Sequence, residues 1–357
     1  MLSVWPPLSP STLLRTPARP RPFPLGEAGC RLYARGRHGL WQGLRVLGVS
    51  HGDEILVPAY HHGSEVEAVH RSGATCRFYA GTDELEPDEE ELEALITPST
   101  RALHIIHYLG FSQDARRWHA WCRERGLLLV EDAAPAWLSL RDGLPVGSLG
   151  DLAIFSIYKT VGVPEGGAVV CKAAVPGPRA RSSLGLGGLV RRHGAWLAQR
   201  IGERGVVARR GHSRFDPALE FGLGEGDASA SVATRFLLPR FQRGEIAAAR
   251  RRNYRGLLEA LSDRVPQPFD ELPEGVCPWV FPVQANDKQG LLRHLLERGI
   301  VGLNLWSVPH PTLPVDRFPD AAFRRARAVA LPVHQELRER DRELVAKHTL
   351  AWYGRGG

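Results

Sequence analysis

The stretch RALHIIHYLGFSQDARRWHAWCRERGLLLVED (residues 101–132) reads as strand, helix, strand. Its first ten residues are mostly apolar and end at Gly110. The segment DARRWHAWCRERG (114–126) carries Trp118 and Trp121 three apart on one helical face and stops at a glycine. LLLV (127–130) is wholly apolar and ends on the acids Glu131 and Asp132. Two apolar strands joined by one helix make a crossover unit, so the strands lie parallel in one sheet.

The same alternation extends outward in both directions. HGLWQGLRVLG (38–48) has helical spacing, EILVPAY (54–60) reads as a buried strand, and SEVEAVHRSG (64–73) as a helix. ATCRFYA (74–80) is the next strand, and DEEELEALI (88–96) a helix with carboxylates at its dipole-favoured start. DLAIFS (151–156) and GAVVCK (167–172) add two further strands. Residues 175–228 change character, with many Gly and Arg and weak periodicity. Helical spacing returns over 233–261, interrupted by Pro239. A strand (279–285), a helix (288–299) and a closing helix (341–352) follow. The expected organisation is a proline-rich N-terminal arm (1–26) running over the surface or across a partner subunit. A large α/β domain (27–239) and a smaller α+β domain (240–357) follow it.

The 357 residues are 43% hydrophobic and 24% charged, the balance of a globular protein with a sizeable core. No apolar run reaches the roughly 18–20 residues of a membrane span. The first 24 residues carry prolines where a signal peptide needs an unbroken apolar stretch. Five scattered cysteines without a C-x-x-C pair argue against a disulfide framework or zinc site and suit a cytoplasmic, reducing setting. The net charge of +7 would permit nucleic acid as a partner, but no nucleic-acid-binding motif accompanies it, and an anionic substrate fits equally. The 46 basic residues comprise 42 arginines and four lysines: Lys159, Lys172, Lys288 and Lys347. If the chemistry needs an amine, those four are the candidates.

Three features stand out against ordinary structural roles. Asp132 ends an apolar strand, where open parallel sheets gather functional groups. Ser156 and Lys159 follow another strand and precede a loop with Gly162, Pro164, Gly166 and Gly167. Ala34–Gly39 (ARGRHG) opens a helix with glycines, which suits an anion at the helix N-terminus. A carboxylate, a lysine and a phosphate cradle together are what pyridoxal phosphate requires. His104 and His107, three apart on a strand, have no carboxylate partner in the sequence pattern and are expected to be structural, so no metal site is expected.

Several stretches in chain order resemble the DegT/DnrJ/StrS family of sugar aminotransferases: GLRVLGVSHGDEILVPAY (43–60), HRSGATCRFYAGTDE (70–84), LEALITPSTRALHIIHYLG (92–110), LLLVEDAAPAW (127–137), GSLGDLAIFSIYKTVGVPEGGAVV (147–170) and ALPVHQEL (330–337). The resemblance implies a pyridoxal-phosphate transferase of fold type I, with a mainly parallel seven-stranded sheet and a smaller C-terminal domain. It implies Lys159 as the lysine that binds the cofactor and moves the substrate proton, and Asp132 as the partner of the cofactor ring nitrogen. Ser156, Gly36 and Arg37 fall where the family binds the phosphate. His62 falls where a side chain stacks on the cofactor ring, with Tyr60 the fallback. Glu165 and Gly166 shape the loop. The family also implies a homodimer, an amino acid donor such as glutamate or glutamine, and a ketone acceptor such as a nucleotide-linked keto-sugar.

This chain departs from the family pattern in three places. Ser156 and Lys159 are two residues closer together than in the commonest family loop. Pro135 replaces a glutamine that reaches the cofactor hydroxyl. The family's asparagine-bearing stretch is missing from 175–228, where RRHGAWLAQRIGERGVVARRGHSR (191–214) stands instead. That segment reads either as an altered acceptor site, for a different anionic or a lipid-linked substrate, or as a surface insertion.

Overall fold

The computed structural model describes residues 1–180, 183–201, 218, 221–224 and 226–354. Strand β1 (Leu2–Ser3) lies at the N-terminus, and β2 (Arg31–Tyr33) leads into helix α1 (Gly36–Val46). Then come β3 (Glu54–Pro58), helix α2 (Ser64–Ser72), β4 (Thr75–Tyr79), β5 (Thr100–Ile106) and β6 (Leu128–Asp132). A short hairpin, β7 (Leu140–Arg141) and β8 (Leu144–Pro145), precedes β9 (Leu152–Ser156) and β10 (Gly167–Cys171).

Seven of these strands form one sheet in the order β2-β10-β9-β6-β5-β3-β4. The contiguous strands β9, β6, β5, β3 and β4 are mutually parallel, and β10 runs antiparallel to both β9 and β2. The crossover inferred from 101–132 is therefore present, with β5 and β6 paired from Ala102↔Leu128 to Ile106↔Asp132. Strands β6 and β9 are buried along nearly their whole length, which explains their unbroken apolar runs. Apolar clusters cover both faces: Leu40, Leu44, Val66 and Val69 pack on one, and Trp118, Trp121 and Leu92 on the other.

A second sheet of three antiparallel strands, β11 (Phe281–Gln284), β14 (Ala328–Leu331) and β13 (Leu303–Asn304), forms beyond residue 280. The helices Arg243–Leu261 and Glu339–Tyr353 pack beside it. The first eight residues do not run free over the surface. Strand β1 pairs in parallel with β12 (Ile300–Val301), and Leu2, Val4 and Leu8 are buried in two different cores. Apolar side chains at 2, 4 and 8 outweigh the prolines around them, because each is worth roughly 1.5–3 kcal/mol once buried.

The segment with weak periodicity contains a helix, Leu186–Ile201. Arg192 is buried in it and donates to the carbonyls of Val163 and Pro6, while Gln199 donates to Asp341 and to the carbonyl of Glu336. The arginines at 204, 209, 210 and 214 lie outside the described residues. All five cysteines are free, and no described helix is long and apolar enough to cross a membrane.

Candidate active site

A cavity of about 920 Å³ opens at the carboxyl ends of β6 and β9, near the top of the range for small-molecule sites. Lys159, Asp132, Ser156, Gly36, Arg37 and His62 all line it. The sheet brings the acid and the amine together: β6 ends at Asp132, the neighbouring β9 ends at Ser156, and a single 3₁₀ turn (Ile157–Lys159) carries the chain to the lysine.

Asp132 is buried, and its Oδ1 accepts the Ala134 N–H at 2.8 Å. Among the described residues no hydrogen bond reaches its Oδ2, and His104 Nε2 stands 4.0 Å away. Burial pushes its carboxyl up to about 7, with the Glu65 charge adding to the rise and the Lys159 ammonium opposing it. A buried carboxyl with one free oxygen facing a cavity is poised for an N–H donor.

The half-buried Lys159 places its Nζ 4.4 Å from the ring centre of Trp279, a cation–π contact. Trp5 stacks on Tyr158 at 5.7 Å and lies 5.9 Å from Trp279, so the N-terminal segment completes this wall. Arg250 fixes the turn from behind. It is fully buried, donates to the carbonyls of Lys159, Thr160, Pro278 and Trp279 and to Gln335, and is pulled down to about 10 by burial. Arg325 works in the same way on the β3 side, bonding the carbonyls of Ala59, His61 and Trp306.

The anion cradle is built by close packing. Helix α1 begins at Gly36 with no side-chain cap, so its first N–H groups face the cavity. A Cβ on Gly36 would stand 3.1 Å from Ser156 Oγ and 3.2 Å from the Phe155 carbonyl. On Gly167 it would meet the Arg35–Gly36 peptide at 2.2 Å. Hydrogen at Gly167 is required for the helix start to touch β10, and at Gly36 it leaves the start in close contact with β9 without pushing on Ser156. Arg37 turns its guanidinium to the Gly222 carbonyl, leaving its backbone to the cavity. Burial alone would raise the Tyr158 hydroxyl, but the Lys159, Arg35 and Arg37 charges hold it below its usual range, the mark of a positive pocket.

His62 lines the cavity and meets Phe221 edge-on at 5.8 Å. Tyr60, the fallback for the stacking position, is buried beside Tyr108 and Trp306 instead and does not line the cavity. Glu165 is structural in its contacts, taking the Ser231 N–H at 2.7 Å. His107 is held by Glu131 at 3.0 Å, as a structural histidine should be. His104 is not: both its ring nitrogens lack hydrogen-bond partners, and burial pulls it down to about 4, which keeps it neutral.

The other three lysines are engaged elsewhere. Lys172 pairs with Asp151 at 2.8 Å, and Lys347 is exposed. Lys288 is pulled down to about 8 by burial and then by Arg325, but its ammonium donates to the Leu305 and Arg325 carbonyls in a closed site.

Sequence reasoning missed Glu65, Trp5, Tyr158, Trp279 and Arg250. Glu65 sits two residues into α2 and accepts the N–H groups of His62 and Gly63. A first-turn acid ahead of an apolar helix was a readable signal for it. Tyr158 lies in the same turn as Lys159, whereas Trp5 and Trp279 reach the cavity wall, and Arg250 the back of that turn, by tertiary packing alone.

A mainly parallel seven-stranded sheet with a lysine and an acid at adjacent strand ends, facing an uncapped helix start, defines the frame of a fold-type-I transferase. The chain belongs to the DegT/DnrJ/EryC1/StrS aminotransferase family, whose profile matches residues 26–349. It is similar to a GDP-perosamine synthase of Escherichia coli O157:H7, 34% identical over 140 residues, 38% of each chain. It is also similar to a UDP-N-acetyl-3-dehydro-alpha-D-glucosamine 3-aminotransferase of Acidithiobacillus ferrooxidans, 35% identical over 177 residues, 47% of this chain and 44% of that one. These matches span less than half of either curated relative. The fold is that of the aminotransferase TlmJ from Streptoalloteichus hindustanus, at a TM-score of 0.69 and 22% identity over 99% of both chains.

Proposed function

We propose that this chain is a pyridoxal-phosphate-dependent aminotransferase that moves an amino group from an amino acid, glutamate or glutamine, to a keto-sugar or related ketone. The observation that carries the reading is the convergence of Lys159, Asp132 and the α1 start on one cavity. The residues fit the cofactor chemically: an amine for its aldehyde, a carboxyl with a free oxygen for its ring nitrogen, and N–H groups with Ser156 for its phosphate. When bound, the cofactor supplies a reactive aldehyde and a ring that draws electrons from the substrate carbon.

The chain's own residues do the rest. Asp132 would hold the ring-nitrogen proton, and that cationic partner would keep the carboxyl ionised despite its burial. Lys159 would hold the cofactor aldehyde, and its amine is the group that would move the proton of the substrate α-carbon. Trp279 and Trp5 wall the lysine on one side, and His62, on the cavity wall, would be the side chain to cover the cofactor ring. Residue Pro135 lines the cavity without a donor side chain, so a contact to the cofactor hydroxyl from this position is lost.

The protein assembles as a homodimer in this reading. Leu186, Val190, Leu197 and Ile201 recur along one face of the Leu186–Ile201 helix, are 49–72% exposed, and offer an apolar stripe for a second subunit. A half-reaction assay tests the function: cofactor-loaded protein mixed with glutamate, glutamine and control amino acids, followed by the loss of its visible absorbance. A response to one of the two named donors, reversed by a keto-sugar, is expected. A bound cofactor that responds to no amino acid would overturn the proposal.

A further inference from the structure

We infer that Glu67, His70 and His310 form a binding site for a divalent transition-metal ion, zinc being best matched, on the outer rim of the cavity. Glu67 and His70 stand three apart on α2, so both side chains rise from one face of the helix. His310 arrives from the loop after β13, far along the chain. Its Nε2 lies 3.5 Å from Glu67 Oε2, and its ring centre lies 5.4 Å from that of His70, at 74°. One ligand atom from each residue falls within 4.8 Å of the others.

Those distances approach what a metal needs. In a tetrahedral zinc site with bonds of about 2.0–2.1 Å, neighbouring ligand atoms stand about 3.3 Å apart. The Glu67–His310 edge already has nearly that length. The remaining edges must close by up to about 1.5 Å, within reach of a rotamer adjustment in the partly exposed His70. Two imidazoles and one carboxylate are the donor set zinc favours, and they leave a fourth position for water.

His310 is also held in place from its other side. Its Nδ1 accepts the Thr312 backbone N–H at 3.3 Å and lies 2.9 Å from Thr312 Oγ1. The ring proton therefore sits on Nε2, facing Glu67, and an ion bound at Nε2 would displace that proton.

The position gives the ion a role. The His310 ring packs on Phe221 at 5.4 Å, and Phe221 packs on His62 in the cavity wall. Trp306, Ser307 and Val308 of the same loop line the cavity, as do Ser64 and Glu65 at the start of α2. A bound ion would staple α2 to this loop and stiffen the outer wall of the cavity.

Zinc titration of chelator-treated full-length protein by calorimetry, with X-ray absorption of the loaded form, tests the site without reference to catalysis. Expected are one equivalent bound, two nitrogens and an oxygen at about 2.0–2.1 Å, and a thermal midpoint raised by zinc. His70→Ala and His310→Ala each weaken binding by on the order of 10-fold or more. Should the buried His310 variant fail to fold, the half-exposed His70→Gln and Glu67→Gln variants carry the test, with circular dichroism checking the fold. Absence of stoichiometric binding, or binding unchanged in His70→Gln and Glu67→Gln, would show an adventitious site only and overturn the inference.

Discussion

Asp132 ends β6, Lys159 sits in the turn after the neighbouring β9, and burial decides the ionisation of the acid. Burial raises Asp132 from its usual 3.8 to about 7, so the cofactor-free protein carries a group that is protonated when folded and ionised when unfolded between those values. A raised folded value means the stabilisation is complete below pH 4 and is lost as pH rises towards 7. Wild-type apoprotein should therefore lose about 1–4 kcal/mol relative to Asp132→Asn over that window, measured by denaturant titration at several pH values. Loading the cofactor should flatten the difference, because its ring nitrogen supplies the missing donor. Lys159 could be singled out in the sequence because lysine is scarce in this chain and because arginine, permanently protonated, could not serve as the reactive amine proposed for it. The walls around it were not legible. Trp5 and Trp279 are 274 positions apart, and no local pattern links them.

At the scale of elements, the strand–helix alternation was readable because the central strands β3, β5, β6 and β9 are largely buried, only the edge strand β4 being mostly uncovered, and the helices between them have one apolar face. β1, β12 and β13 are two residues long, too short for any periodicity to mark them. The Leu186–Ile201 helix escaped notice because its apolar residues are exposed and its buried ones are polar. The fit between α1 and the sheet rests on glycine. Gly36→Ala would press its Cβ against Ser156 Oγ and Phe155, so it should weaken cofactor retention by about 10-fold or more, about 1.4 kcal/mol, as read by equilibrium dialysis, with little change in circular dichroism. The loop after β9 rests on Arg250 in the same way. Arg250→Met strands several buried carbonyls and should cost about 2–4 kcal/mol by thermal or urea unfolding. Lysine at this position should not restore it, since one ammonium cannot reach the same fork of acceptors.

Across the whole molecule, the N-terminal segment links the two sheets: β1 joins Ile300–Val301, Val4 enters the core of the three-stranded sheet, and Leu8 packs with Trp137 and Phe155. Trp5→Ala should cost about 1–3 kcal/mol in unfolding experiments and speed proteolysis near the N-terminus. An extended arm over the surface or across a partner was expected here, but Pro10–Leu14 forms a 3₁₀ turn and residues 2–8 pack into the chain's own cores, which spacing alone could not reveal. Sizing chromatography at micromolar concentration should give about twice 39.4 kDa, and aspartate at Val190 or Leu197 should lower it.

The central claim is that Lys159 alone of the four lysines holds the cofactor. Borohydride reduction of the pyridoxal-phosphate-loaded protein, followed by peptide mass spectrometry, measures this directly. A single reduced adduct on the Lys159 peptide, absent in Lys159→Ala, is the predicted result. An adduct on Lys172, Lys288 or Lys347, or no adduct under conditions that load the wild-type chain, would contradict the account.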